Sequence, residues 1–463
     1  MPADGSRSEP DRRHDGSGKQ FGRIARATNS DGPLGEGAIR TFLMASVAVL
    51  LSAAASAQTL DVHAARLIDP ASARVLTDQR IRIVDGKIAA VMPWRDADGA
   101  ATIDWSAETV LPGLIDLHTH LADGAIDVTE SDPAAPLKHS EADTILRGTV
   151  AARLELESGF TTVRDVGVYR GLTDVALRDA INAGEIEGPR MFVAGGYITV
   201  PGGGGEINAL AADVPVPEAF RMGEVRNPAE ARDRARYFLD HGADFIKLIA
   251  TGAVLAIGGI PGAIELSPEE MKAACDEARA HGSYCIAHAH GAEGIKAAIR
   301  AGARTIEHAS YLDAEGIELA KKNGVWLDMD IYNGDWINDV GVKQHWPAEY
   351  LRKNIETTDI QRRGFAAAVK AGVKMTFGTD AGVYMYGLGA RQFAYMVRYG
   401  MTPMQAIQSA TSEAAKALCM EGKVGSLAPG AYGDLVAVKG EPLTDIRVLE
   451  HVEGVIKEGK PVR

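Results

Sequence analysis

The run Leu111-Pro112-Gly113-Leu114-Ile115-Asp116-Leu117-His118-Thr119-His120 closes on two histidines one residue apart. On a strand, residues i and i+2 share a face. His118 and His120 therefore aim two imidazoles at one point from one strand end, an arrangement suited to a metal ion. A lone histidine is more often a packed or exposed side chain. Here further groups follow in order. Lys247 sits inside Asp244-Phe245-Ile246-Lys247-Leu248-Ile249, His288 follows Tyr284-Cys285-Ile286-Ala287, His308 follows Thr305-Ile306-Glu307, and Asp380 follows Phe377-Gly378-Thr379.

Lys247 is the oddest of the set, because a lysine in an apolar strand is costly to bury unless paired or neutralised. Its stem can snorkel to the surface, its amine can form a Schiff base, or it can react with CO2 to give a carbamate, an anion able to bridge two metal ions. Asp380 can cap the next helix, or bind metal and shuttle a proton beside a metal-bound water. Imidazole and carboxylate ligands without thiolate favour zinc, with manganese and iron as the other candidates. His288 and His290 compete for one ligand role, since both face the same side of an extended segment. His63, His139, His241, His281, His345 and His451 lack such a setting and read as surface or packing residues.

The elements that must position these groups alternate strand and helix. Strands start near Val110, Thr161, Arg190, Phe245, Tyr284, Thr305, Val325 and Lys374. Helices are expected over Pro228 to Asp240, Pro268 to His281 and Ala292 to Ala301, the second opened by Ser267 as N-cap, Pro268 in the first turn and Glu270 at the third position. Eight such units point to a (β/α)8 barrel, with doubly wound sheets sharing the alternation. The insertion 201–227, opening Pro201-Gly202-Gly203-Gly204-Gly205, reads as a mobile loop over the strand ends. Outside the barrel, alternating runs at residues 60–68 and 80–88, with a hairpin signal at Asp85-Gly86, match β-rich stretches at 434–438 and 454–460. The two chain ends are expected to pair into one small sheet domain.

With 463 residues, 46% of them hydrophobic, the chain has room for a barrel and an accessory unit. A formal charge of −13 argues against a nucleic-acid partner. Cys275, Cys285 and Cys419 are an odd, scattered set, suited neither to a disulfide framework nor to a cysteine zinc site. Residues 1–39 are polar and read as disordered. The apolar run Phe42 to Ala55 and the small-x-small triplet Ala55-Ser56-Ala57 read as a signal peptide cleaved after Ala57, with export to the periplasm or the exterior. The run is short for a membrane span, so none is expected after processing.

Together, His118-Thr119-His120, Lys247, His288, His308 in Ile306-Glu307-His308, and Asp380 in Gly378-Thr379-Asp380-Ala381-Gly382 resemble the amidohydrolase superfamily. The tail from Val424 to Val436, containing Leu427-Ala428-Pro429-Gly430 and Gly433-Asp434, is similar to that superfamily's closing motif. The resemblance runs from about residue 59 to 463. It implies an α/β architecture: a (β/α)8 TIM barrel over 112–420, with a small β-sandwich made of residues 58–111 and 421–463, behind a lead of residues 1–57. It also implies His288, rather than His290, as the fifth-strand ligand.

Lys247 separates subgroups. The imidazolonepropionase-like enzymes match much of the flanking sequence but use one metal and no bridging lysine. Asp244-Phe245-Ile246-Lys247, then Thr251-Gly252, then His288-Ala289-His290-Gly291, is more similar to the binuclear Xaa-Pro dipeptidases and carboxypeptidase-like members. Secreted relatives in that branch hydrolyse ochratoxin A, at an amide joining an aromatic acid to phenylalanine. Thr251-Gly252-Ala253-Val254 departs from that branch, which often carries a second glycine there, so the pocket can differ in shape.

The resemblance implies two divalent metal ions, with zinc the first expectation. His118 and His120 would hold one ion and His288 and His308 the other, with carboxylated Lys247 and a hydroxide as bridges. Asp380 would take up the hydroxide's proton and return it to the leaving amine of a small-molecule or dipeptide substrate. The amide cleaved would lie next to a free carboxylate, with hydrolysis of a cyclic amide, or deamination, as the alternative. Tyr197, Arg170, Tyr311 and His290 are candidates for substrate contacts, and a homo-oligomer is expected.

Overall fold

The computed structural model describes residues 58–123, 132–211 and 213–462. The expected disordered lead and signal peptide, residues 1–57, lie outside the described residues. Within them no helix is long and apolar enough to cross a membrane.

The two chain ends do pair. One seven-stranded sheet runs in the order Lys460–Pro461, Val452–Lys457, Leu435–Val438, Ile103–Pro112, Thr59–Asp69, Arg74–Val84, Lys87–Pro93. Leu435–Val438 joins the ends by pairing antiparallel with Thr109–Pro112. Asp85 and Gly86, at φ 48° and 75°, make the tight connection between two of these strands, with the positive dihedrals that suit the right-handed twist of a hairpin. Alternation along the strands buries Val62, Ala64, Leu67, Ile81, Ile83, Leu435 and Ala437 in one cluster. The ladder defines a single sheet.

Between the ends lies an alternation of parallel strands and helices. Six strands are ordered Lys374–Thr376, Trp326–Asp328, Thr305–His308, Cys285–Ala289, Ile246–Ile249, Tyr197–Ile198. Three more, Leu114–Thr119, Phe160–Asp165 and Arg190–Val193, form a second parallel sheet. The first and last strands of this series adjoin: Leu117 N–H donates to Phe377 O at 2.9 Å, Asp380 N–H to His118 O at 2.8 Å, and Thr119 bridges Ala381 in parallel.

Two boundaries differ from the sequence expectation. Val110–Pro112 belongs to the end sheet, and the first strand of the parallel series starts at Leu114. Gly113 makes the transition where a Cβ would overlap the Thr161 side chain. The third expected strand is broken after Val193 by Ala194-Gly195-Gly196, where a Cβ on Gly196 would sit 2.7 Å from the Phe238 ring.

The helix starts follow their capping residues. Asn227 accepts from the N–H groups of Ala229 and Glu230 ahead of Pro228–Asp240, and Ser267 with Glu270 closes a reciprocal capping box ahead of Pro268–Ala280. The 201–227 insertion is tied down at its ends: Val225 N–H donates to Thr199 O at 2.9 Å, and Gly204 N–H to Glu265 Oε2 at 2.8 Å.

The cysteines correct an expectation. Cys275 and Cys285 form a disulfide, with Cα atoms 5.2 Å apart. The helix Pro268–Ala280 turns back into the strand Cys285–Ala289, so ten residues of separation in sequence become contact in space. Cys419 is free and exposed.

Candidate metal centre

The first strand of the parallel series is clamped to the last by a buried carboxylate. Asp116 accepts from His118 N–H at 2.9 Å, from Thr379 N–H at 3.1 Å and from the Thr379 hydroxyl at 2.6 Å. This fixes His118 and His120 against Asp380, whose Oδ1 lies 3.3 Å and 3.2 Å from their Nε2 atoms. His308 and Asp380 both adopt left-handed backbone, at φ 66° and 60°. Such strain in non-glycine residues persists where surrounding structure imposes it, and it gathers at functional sites.

One cavity of about 130 Å³ is lined by His118, His120, Lys247, His288, His290, His308 and Asp380. Ligand-capable atoms of His118, His120 and Asp380 lie within 4.8 Å of one another, as do those of His288, His290 and His308. Lys247, 2% exposed, pairs in register with Tyr197 and Ile286 on the flanking strands. Burial is the largest influence on its amine and pulls it down to about 8, against the attraction of Glu307 and Asp380.

Most of the imidazoles are oriented from behind. His118 Nδ1 lies 3.0 Å from Glu307 Oε2, His120 Nδ1 3.0 Å from Gly167 O, His308 Nδ1 2.9 Å from Asp330 Oδ1, and His290 Nδ1 2.8 Å from the Ser310 hydroxyl. Occupying one ring nitrogen in this way fixes the ring and turns the other toward the cavity, as outer partners of metal-bound histidines do. His288 Nε2 lies 3.4 Å from Gly252 O.

Charge is distributed unevenly. Arg164, fully buried, donates to both oxygens of Glu307 at 3.0 Å and 3.2 Å and to Leu117 O at 2.7 Å. Burial opposes the ionised form of Glu307, but Arg164 and His118 hold its carboxyl far below the usual range. Burial and Lys247 oppose the proton on His118, yet Asp380 and Glu307 lift it to about 10. Burial likewise opposes the charge on Asp380, and His118 and His120 override it. His288 and His290 are held well below their ordinary value, by burial first and then by neighbouring imidazoles.

The model of the Amidohydrolase family matches residues 109–462. The chain belongs to the amidohydrolase family. It is 31% identical to ochratoxinase of Aspergillus niger over 371 residues, covering 75% of this chain and 73% of that protein. It is 26% identical to imidazolonepropionase of Chromobacterium violaceum over 381 residues, 76% of this chain and 83% of that one. Among solved structures, a Xaa-Pro dipeptidase with methionine bound in its active site superposes with a TM-score of 0.81 at 38% identity, covering 87% of this chain and 99% of that chain.

Of the substrate-contact candidates in this amidohydrolase, His290 and Tyr197 line the cavity. The Tyr197 hydroxyl also donates to Gly167 O at 3.0 Å and lies 3.1 Å from His120 Nδ1. A Cβ on Gly167, at φ 119°, would meet the Tyr197 ring at 2.6 Å, so glycine is required for that approach. Arg170 and Tyr311 do not line the cavity. The Arg170 guanidinium donates to His139 O at 2.8 Å and lies over the Phe220 ring. Tyr311 is tied by its backbone, donating from N–H to His290 O.

Asp330 and Asn333, not singled out in the sequence, also line the cavity. Asn333 donates to Asp330 and, at 3.4 Å, to Asp380 Oδ2, while Gln361 Nε2 donates to Asp330 Oδ1 at 3.0 Å. The available signal was Asp328-Met329-Asp330, two carboxylates on one face at a strand end.

Proposed function

We propose that this amidohydrolase uses divalent metal, zinc in the first instance, to hydrolyse an amide bond next to a free carboxylate, as in dipeptides and N-acyl amino acids. The observation that supports this reading best is the convergence of five imidazoles, Asp380 and a desolvated lysine on one small cavity. The donor set fits a pair of metal ions. His118 and His120 would hold one and His288 and His308 the other, with Lys247 between them as a carbamate. That carbamate forms when the neutral amine adds to CO2 and releases a proton. Bound metal supplies Lewis acidity, lowering the pKa of water from ~15.7 to about 7 and polarising a carbonyl.

The chain's own residues do the rest. Asp380 takes the proton from the attacking water and delivers it to the leaving nitrogen, a transfer typically worth roughly 10²–10⁴-fold. Glu307 and Asp330 hold His118 and His308 in orientation. His290, whose Nδ1 is engaged by Ser310, presents Nε2 to the substrate. A lysine in the cavity favours this reading over a one-metal deaminase or cyclic-amide hydrolase. The same reading takes the two parallel sheets as one (β/α)8 barrel and the end sheet as part of a β-sandwich. It also makes the protein exported, with a mature start at Gln58; a disulfide between Cys275 and Cys285 suits an oxidising compartment.

The test is a hydrolysis screen of dipeptides and N-acyl amino acids with the metal-loaded mature protein. Turnover should vanish on chelation and return with zinc. Turnover indifferent to chelation, or none with metal bound, sinks the proposal.

A further inference from the structure

A second cavity of about 240 Å³ opens beside the metal centre. The two share His120, Tyr169, Tyr197, Leu255 and Val383 as walls. The second adds Trp346 and Tyr350, both buried, with Pro133 and Pro136. Beside the shared His120 and the uncharged Asn208, its polar lining carries three carboxyl groups, Asp123, Asp132 and Glu206, with no lysine or arginine among the described lining residues. Lys138 offsets Asp132 at 2.5 Å. Asp123 accepts from Tyr169 N–H at 2.9 Å. Glu206 accepts from Gly202 N–H at 2.7 Å through Oε2, and its Oε1 is buried. Burial first, then the neighbouring Glu224, which is itself paired with Arg221 and Arg226, pushes the Glu206 carboxyl up to about 7.

We infer that this second cavity is the subsite for the acyl residue, and that it selects dipeptides whose N-terminal residue carries a free ammonium and a large aromatic side chain. The inference rests on the amidohydrolase reading above and narrows its substrate class. A substrate with one anionic end and its amide at the metal centre must send its two ends in different directions. An anion in the second cavity would lose water while facing more carboxyl groups than the one Lys138 offsets, with no cation among the lining residues. The carboxylate end is therefore directed to the His290 side. An aromatic ring finds Trp346 and Tyr350 to pack against, and an ammonium finds both the ring faces and Glu206. A blocked amine forfeits that pairing, so N-acyl amino acids become the poorer substrates.

The experiment has two arms on the full metal-loaded protein. In the first, kcat/KM is compared for phenylalanyl-alanine, its N-acetyl derivative and glutamyl-alanine. Phenylalanyl-alanine should lead both by at least about tenfold, with Glu206→Gln narrowing the gap and Glu206→Lys closing or reversing it. In the second, saturation-transfer NMR compares phenethylamine with 3-phenylpropionate, free of any turnover. The amine should bind more tightly, and Trp346→Ala should weaken it. Equal binding of the two, a preference for the anion, or an amine preference that Glu206→Lys leaves unchanged overturns the subsite assignment. Selective amine binding without hydrolysis of any peptide or N-acyl amino acid would instead uphold the cavity's ligand class and defeat the proposed reaction.

Discussion

Around His118 the neighbours are ions. Glu307, Arg164 and Asp380 form a buried chain of charge with contacts of 3.0–3.3 Å. Around His288 and His290 they are a carbonyl and a hydroxyl, from Gly252 and Ser310. Both walls present imidazoles to the same cavity, yet they are stiffened by different means. In the charged wall each group depends on the next, and removing one leaves a buried charge without compensation, which typically costs roughly 3–5 kcal/mol. In the neutral wall a lost partner costs about one ordinary hydrogen bond, ~0.5–1.5 kcal/mol. The charged wall is thus the more precisely held and the more easily broken.

Lys247 faces both walls, and its removal should have the largest effect. Lys247→Ala is expected to lose metal from the whole centre, with turnover falling beyond the roughly 10²–10⁴-fold of a lost proton shuttle. Short carboxylic acids should restore part of it. Metal per chain, measured together with rate, is the check; a variant with full metal and full rate would show that Lys247 bridges nothing. Asp380→Asn separates holding from proton transfer within the charged wall. An amide can still offer an oxygen but cannot carry the proton. Metal content should stay near that of the parent while turnover on a dipeptide drops roughly 10²–10⁴-fold. Unchanged turnover would make Asp380 a passive ligand.

How far the two walls could be foreseen follows from what each kind of residue reveals on paper. His118, His120, Lys247, His288, His308 and Asp380 stand out because polar groups at the ends of apolar strands need a reason to be there, and the structure places all six around one cavity. The end sheet was visible in its alternating runs and the Asp85-Gly86 turn. The partners behind the imidazoles were not. Arg164 sits in Phe160–Asp165 much as Lys247 sits in its own strand, a cation in an apolar run, and the same reasoning would have reached it; its link to Glu307 spans 143 residues, which no local pattern reveals. Asp330 and Ser310 are ordinary polar residues until the fold brings His308 and His290 to them. Arg170 and Tyr311 were placed by nearness to strand ends, but nearness does not fix where a side chain points. The 275–285 disulfide depended on the antiparallel return of a helix onto its strand.

The smallest expected effects sharpen the contrast most directly, because they leave every ligand in place. Glu307→Gln keeps an oxygen within reach of His118 but removes the nearer of Arg164's two carboxylate partners, leaving Asp328 Oδ2 at 3.7 Å, so it should weaken metal binding by roughly 10–100-fold, as outer-partner losses do, and lower thermal stability as well. Ser310→Ala removes the hydroxyl 2.8 Å from His290 Nδ1, while the backbone of His290 stays held by the Thr251 hydroxyl, which accepts from its N–H at 2.9 Å. The ring gains freedom but no charge is stranded. Metal affinity should change by no more than a few-fold, in line with ~1 kcal/mol for one neutral hydrogen bond, and thermal stability should hardly move. The loss should appear in KM rather than in metal content, since His290 is assigned to the substrate and not to the ions. Metal titration and dipeptide kinetics on both variants decide it. If Ser310→Ala loses metal as severely as Glu307→Gln, the two walls are energetically alike, and His290 belongs among the ligands.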